Sequence, residues 1–306
     1  MEKILRIGTR DSQLAVWQAT LVKDELAKHG IATELVLIKS DGDIDLVTPL
    51  YEMGVQGVFT KTLDAALLSG RIDIAVHSMK DVPTQLAKGI IQSAVLPRAN
   101  YKDLLIFRDS NSKFEIRESD FVIATSSIRR KAQWLNRYPN HSIENLRGNV
   151  NTRLRKVAES NWDGAIFAAA GLERIGLRPA NSIELDWMLP APAQGAIMIV
   201  CRENDTAAKE KCFVLNDEAT AICVKAERDF LKTLLGGCST PISALAKTEN
   251  DQLHFNGNIF SLDGKEKVEV NKIFSMDEKN IGVIAAKEVL LNGGDKIAEV
   301  IRNAGK

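Results

Sequence analysis

The chain is short of the residues that build special scaffolds. Its four cysteines, Cys201, Cys212, Cys223 and Cys238, form no Cys-x-x-Cys pair, which excludes a disulfide framework and a zinc ribbon, and no metal site is expected. Three of them fall in apolar or helical runs, where a reduced, packed thiol is the ordinary state. Eight prolines, in a chain 45% hydrophobic and 26% charged, leave no compositional basis for disorder. No apolar run reaches the roughly 18 residues of a membrane span. The start, Met-Glu-Lys-Ile-Leu-Arg-Ile, leads into a strand pattern rather than a signal-peptide core, so the expected location is the cytoplasm. Net charge is also missing: 40 basic residues balance 40 acidic ones, and the total argues for neither nucleic acid nor membrane. Neither Gly-x4-Gly-Lys-Ser/Thr nor a post-strand Gly-x-Gly-x-x-Gly is present, which disfavours nucleotide cofactors.

At 306 residues the chain is about twice the common domain size, so two or three domains are expected. Residues 3–8 read as a strand, and Asp11 or Ser12 can cap a helix in which Leu14, Trp17, Leu21 and Leu26 recur near helical spacing until Gly30. Residues 34–38 complete a βαβ unit. An irregular stretch over 40–57 precedes a helix at 60–68 and a strand at 72–77. A second α/β set follows, with strands at 104–107, 121–124, near Ile143 and at 165–169, and helices from Ser126 and Val150. The apolar strand 196–200 is expected to return to the first domain, leaving a cleft between two α/β lobes. Beyond Glu218 the pattern changes to one long helix, a Gly-Gly-Cys turn, alternating strands (Leu253, Phe255; Val268, Val270) and a final helical segment at 281–291, a smaller α+β domain. The expected boundaries are 1–98 with 191–214, then 99–190, then 215–306.

Charge is distributed unevenly within this neutral chain. Residues 125–156 hold eight basic side chains against one acid, Glu144. Within this stretch Thr125-Ser126-Ser127-Ile128-Arg129-Arg130 follows a strand and opens a helix, and Leu146-Arg147-Gly148-Asn149-Val150-Asn151-Thr152-Arg153 repeats the arrangement. Helix starts with free amides and guanidiniums hold anions, and the planar arginine fork suits carboxylates. A solvated basic face is the plain alternative. Nucleic acid fits less well, because Trp134 and Tyr138 are the few aromatics there and no recognised binding motif accompanies them. The strand ending in His77-Ser78-Met79-Lys80-Asp81-Val82-Pro83 puts a lysine and an aspartate where α/β lobes carry active sites. Spacing alone equally allows a loop with Asp81 capping a turn and Lys80 solvated, and a lysine here also suits a Schiff base. His77 reads as structural. Cys238, between Gly236-Gly237 and Pro241, sits in a turn rather than a packed face; such a thiol is inert unless cations surround it.

Seven segments in order resemble the porphobilinogen deaminase (hydroxymethylbilane synthase) family nearly end to end. They are Ile7-Gly8-Thr9-Arg10-Asp11-Ser12, Ala75-Val76-His77-Ser78-Met79-Lys80-Asp81-Val82-Pro83, Thr125-Ser126-Ser127-Ile128-Arg129-Arg130, Leu146-Arg147-Gly148-Asn149-Val150, Ala169-Ala170-Gly171-Leu172-Glu173-Arg174, Pro192-Ala193-Gln194-Gly195-Ala196 and Gly236-Gly237-Cys238. The resemblance implies two periplasmic-binding-protein-like lobes around a cleft, a smaller α+β C-terminal domain, and a monomer with neither nucleic acid nor membrane as partner. It implies a dipyrromethane cofactor joined by a thioether to Cys238, itself made from substrate. Porphobilinogen loses ammonia to give an azafulvene, which the terminal pyrrole of the cofactor attacks. Four additions and hydrolysis release hydroxymethylbilane. For that reaction Asp81 is expected to be the catalytic carboxylate, accepting from pyrrole N–H groups and stabilising the cationic azafulvene and σ-complex. Lys80, Asp81, Ser127, Arg129, Arg130 and Arg147 are expected to bind the cofactor with Cys238, and Arg10, Ser12, Arg147, Arg153 and Arg174 the substrate. The chain departs from the common family pattern at Gln56, where many members have lysine, at Thr62, where they have glutamate, and at Ser239-Thr240-Pro241-Ile242-Ser243 after the cysteine. Outside the family reading, two lobes around an arginine-lined cleft equally suit a non-catalytic carboxylate-binding protein, which would have no need of Cys238.

Overall fold

Short apolar strands alternating with one-sided helices give the first two-thirds of the chain an α/β layout. The computed structural model describes residues 4–39, 60–108, 116–118, 120–234 and 240–304; the stretch expected at 40–57, with Gln56, and the cysteine Cys238 lie outside the described residues. The first lobe opens with β1 (Leu5–Thr9), α1 (Gln13–Lys28) and β2 (Thr33–Leu37), the βαβ unit read from the pattern. Ser12 rather than Asp11 caps α1, its Oγ accepting from the Ala15 N–H at 3.4 Å. Ala19, Val22 and Leu26, spaced three and four apart, bury the inner face of α1. Next come α2 (Lys61–Leu68), β3 (Ile74–Ser78), a 3₁₀ turn (Met79–Asp81) and β4 (Ile90–Val95).

The chain crosses into the second lobe through β5 (Asp103–Phe107), followed by β6 (Val122–Ala124), α3 (Ile128–Arg137), β7 (Ser142–Glu144), α4 (Val150–Glu159), β8 (Gly164–Ala168), α5 (Ala169–Glu173) and β9 (Ser182–Glu184). It returns through β10 (Ile197–Arg202) and α6 (Thr206–Phe213). The expected return crossing is there, since β10 lies between β3 and β4. The two lobes share one plan. Their sheet orders are β2-β1-β3-β10-β4 and β7-β6-β8-β5-β9, and in each the first three strands are parallel while the fourth runs antiparallel to both neighbours. That fourth slot holds the entering strand in one lobe and the returning strand in the other. Both faces of these central strands are covered, so β10 reads as an unbroken apolar run: Ile197, Ile199 and Cys201 pack on the α1 side, Met198 and Val200 on the α2 side.

The third unit consists of α7 (Glu218–Leu234), an antiparallel meander of β11 (Ile242–Glu249), β12 (Gln252–Phe260) and β13 (Lys267–Ser275), then α8 (Ile281–Val289) and α9 (Asp295–Ala304). Its core centres on Phe230 and Phe255, with ring centroids 5.2 Å apart. Helix α7 also reaches outward, placing Val224 in the first lobe's core with Leu63, Leu67 and Met79. The last helix departs from expectation. Helical backbone covers the expected segment 281–291, breaks at Asn292 and Gly293, the latter at φ +101°, and then resumes as α9, which was not expected. An Asn-Gly-Gly run supplies that break because glycine tolerates positive φ. Strands β4 and β9 and helix α6 were not read from the pattern, β9 being only three residues long.

Candidate active site in the interlobe cleft

Five strand ends converge on the space between the lobes. Beyond β1 stand Arg10 and the α1 cap Ser12; beyond β3 the 3₁₀ turn carries Lys80 and Asp81. From the other lobe, β6 leads through Ser127 into α3, β7 through Arg147 and Gly148 into α4, and β8 through α5 to Arg174. Gly148 lies at φ +117°, and a Cβ there would stand 2.7 Å from Thr152 Cγ2, so the tight turn before α4 requires glycine. Asn149 caps that helix, accepting from the Thr152 N–H at 2.9 Å.

Together these ends enclose a cavity of about 560 Å³ lined by Arg10, Ser12, Lys80, Asp81, Arg130, Arg147, Arg153 and Arg174 among others. Eight residues singled out from the sequence thus meet in one space although they come from both lobes. Among the described residues the basic lining is Arg10, Lys80, Arg130, Arg147, Arg153 and Arg174, and the acidic lining is Asp11 and Asp81. Asp81 is exposed to the cavity. Arg153 donates through Nε to the Gly148 carbonyl at 2.7 Å, and Arg174 through Nη2 to the Gly195 carbonyl at 2.7 Å. Burial, with Arg130 adding to it, pushes Arg153 down to about 10, and burial pushes Arg174 down to about 10. Burial also pushes the Lys80 ammonium down to about 8, with Asp81 opposing the shift. Positive charge crowded in this way favours a ligand carrying several carboxylates. His77 is brought down to about 4 by burial and the nearby Arg10, so it is neutral at neutral pH.

Two residues expected to bind the cofactor, Arg129 and Ser127, stand outside the lining of this cavity. Arg129 does not line the cavity: its Nη2 lies 2.8 Å from Asp103 Oδ2 and its Nη1 donates to the Leu189 carbonyl at 2.8 Å. Ser127 caps α3, its Oγ accepting from the Arg130 N–H at 3.4 Å. Arg130 lines the cavity but is also committed, with Nη2 2.7 Å from Asp103 Oδ1 and Nη1 2.8 Å from the Ile166 carbonyl. Burial alone would raise the Asp103 carboxyl, but these two guanidiniums outweigh it and hold the group far below the usual carboxylate range. Cys238 lies outside the described residues.

Sequence reasoning passed over three residues that shape the cleft. Asp103, wholly buried at the start of β5, absorbs the charge of two arginines. Gln194, quoted for its motif but given no role, donates to Asp103 Oδ1 at 2.9 Å and accepts from Lys80 Nζ at 3.3 Å. Asn151 donates to Gln13 Oε1 at 2.8 Å, joining the starts of α4 and α1 across the cavity rim. No local signal marks such pairs, because the partners are distant in the chain. Among the described residues no cluster of His, Cys, Asp and Glu could hold a metal, and no helix is long and apolar enough to cross a membrane.

The cavity residues suit dipyrromethane, whose rings bear acetate and propionate groups for the cations and N–H groups for a carboxylate acceptor. Comparison with known proteins agrees. Residues 5–210 match the family model described as porphobilinogen deaminase, dipyromethane cofactor binding domain, and residues 221–291 match the porphobilinogen deaminase C-terminal domain. The chain is 40% identical over 311 residues to porphobilinogen deaminase of Chlorobium phaeobacteroides, covering 99% of each chain. It is 43% identical over 305 residues to the chloroplastic porphobilinogen deaminase of Pisum sativum, covering 95% of this chain and 82% of that one. Among solved structures, the methionine binding protein MetQ is 15% identical with a TM-score of 0.44, covering 69% of this chain and 89% of that one, a loose likeness of fold only. The two family matches and the near full-length relatives make this chain a member of the porphobilinogen deaminase family.

Proposed function

We propose that the interlobe cleft carries out the family reaction with Asp81 as its catalytic group. That reaction is the stepwise deaminating polymerisation of four porphobilinogen molecules onto a covalent dipyrromethane primer, followed by hydrolytic release of hydroxymethylbilane; the enzyme is a transferase. The observation that carries the assignment is an acid exposed in a cavity lined, among the described residues, by six cations, at the end of a buried strand. Bound through a thioether to Cys238, dipyrromethane supplies the free pyrrole carbon on which the chain grows.

The carboxylate of Asp81 accepts hydrogen bonds from pyrrole N–H groups. It stabilises the positive charge that develops on substrate as ammonia departs, and a fixed anion is worth most where charge appears only in the transition state. Arg10, Lys80, Arg147, Arg153 and Arg174 hold the ring carboxylates, and Arg130 adds its charge from its seat on Asp103. Ser12 orders the start of α1 beside Arg10. Arg129 and Ser127 act at one remove, by seating Asp103 and α3. Three units with boundaries at 1–98 with 191–214, 99–190 and 215–306 fit the three sheets. The enzyme works as a cytoplasmic monomer on a small molecule, without nucleic acid. A non-catalytic carboxylate-binding role is not favoured, because the cofactor-binding domain description covers both lobes.

Ammonia release from porphobilinogen, normalised to cofactor-loaded protein by intact mass, tests the assignment. Asp81→Asn should lower kcat about 100- to 1,000-fold. Turnover within threefold of the parent would end the role of Asp81, and an intact-mass adduct surviving in Cys238→Ser would end that of Cys238.

A further inference from the structure

Neighbouring residues of α7 hold two different parts of the molecule. Glu227 faces the interlobe crossings, whereas Arg228 reaches the first lobe. Arg228 donates through Nη1 to the carbonyls of Met79 at 3.3 Å and Val82 at 3.0 Å, and through Nη2 to that of Pro83 at 2.5 Å. These carbonyls bracket Lys80 and Asp81. The turn they belong to is a three-residue 3₁₀ segment closed by the Val82 N–H on the Met79 carbonyl at 3.2 Å, and bonding of this kind has poorer geometry than that of an α-helix. A catalytic carboxylate therefore rides on backbone that supplies little stiffness of its own. A guanidinium offers five donors in one rigid plane, so carbonyls bound to a single fork are fixed relative to one another. The fork is itself anchored, since α7 packs its Val224 in the first lobe's core beside Met79.

We infer that Arg228 is a positioning residue for the reaction, a clamp from the third unit that fixes the Met79–Asp81 turn and with it the Asp81 carboxylate. The inference rests on the reading of Asp81 as the catalytic group. It also gives α7 a second duty. Cys238 follows the last residue of this helix, Leu234, by four positions, so one helix holds the turn of the catalytic acid and leads in sequence to the cofactor cysteine.

The test compares Arg228→Gln and Arg228→Lys with the parent holoenzyme, the loaded fraction being counted by intact mass. In loaded enzyme Arg228→Gln should lower kcat by about 10- to 100-fold, the range expected from a small displacement of a reacting group, with KM for porphobilinogen changed less than about threefold. Arg228→Lys keeps the charge but not the fork and should fall between. A merely structural role would lower thermal stability and the loaded fraction while leaving kcat per loaded molecule intact, and that result overturns the inference. So does a raised KM with unchanged kcat. If Arg228→Gln does not fold, the same readouts on Arg228→Lys decide. Asp81→Asn run in parallel separates the two readings: full turnover there overturns both, whereas lost turnover there with full turnover in Arg228→Gln overturns only the role of Arg228.

Discussion

Lys80 is held between burial, which pushes its ammonium down to about 8, and Asp81, which opposes that shift. Arg153 and Arg174, at about 10, keep their charge through the neutral range. As pH rises through about 8, ligand-free Lys80 sheds its proton and a substrate carboxylate loses an ionic partner, so binding weakens in the upward direction. Measured between about pH 7 and pH 9.5, KM for porphobilinogen should rise several-fold, and Lys80→Arg should move the rise to higher pH because a guanidinium stays charged there. A flat profile in both proteins would remove Lys80 from the carboxylate-binding set. At this scale the sequence shows residue type and leaves side-chain partners open. Arg10, Lys80, Asp81, Arg147, Arg153 and Arg174 line the cavity, whereas Arg129 turns to a buried aspartate that no motif announces.

The elements owe their positions to short-range features, and the helix starts illustrate it. Ser12, Ser127 and Asn149 each follow a strand and each caps the helix that begins there. If Ser127 acts only as a cap, Ser127→Ala should cost about 1 kcal/mol of stability in denaturant unfolding and leave KM within about twofold. A tenfold rise in KM at unchanged stability would instead make Ser127 a ligand-binding group. Apolar spacing is legible because it involves residues three or four positions apart, whereas among these caps the pattern points only to that of α1, as Asp11 or Ser12. The three-residue β9 and the break between α8 and α9 were not read, the first because three residues carry no period and the second because a helix resumes after it.

At the scale of the whole molecule, Glu227 ties the third unit to both crossings between the lobes. It is completely buried, and its Oε1 lies 2.6 Å from Arg98 Nη1 on the crossing into the second lobe. It also accepts from the Ala193 N–H at 2.6 Å on the return crossing and from the Ala246 N–H at 2.8 Å on β11. Removing one partner of a buried pair leaves the other charge uncompensated, so Glu227→Ala should cost about 3–5 kcal/mol in equilibrium unfolding. A cost below about 1 kcal/mol would place the adhesion of the third unit elsewhere, in the apolar contact of α7 with the first lobe.

By itself the sequence determined the alternation of strands and helices, the order of the family segments and the kinds of side chain available to the cleft. All of these depend on neighbours along the chain or on residue identity. Only the tertiary structure decided how each cation is used. Arg129 and Arg130 are adjacent in sequence, yet Arg130 lines the cavity and Arg129 does not, because successive helical residues point about 100° apart and both meet a carboxylate, Asp103, that enters from another strand. The bond between Asn151 and Gln13 and the clamp of Arg228 on the Asp81 turn likewise join residues more than a hundred positions apart. Contacts of that kind arise when packed layers bring distant segments together, and no local pattern records them.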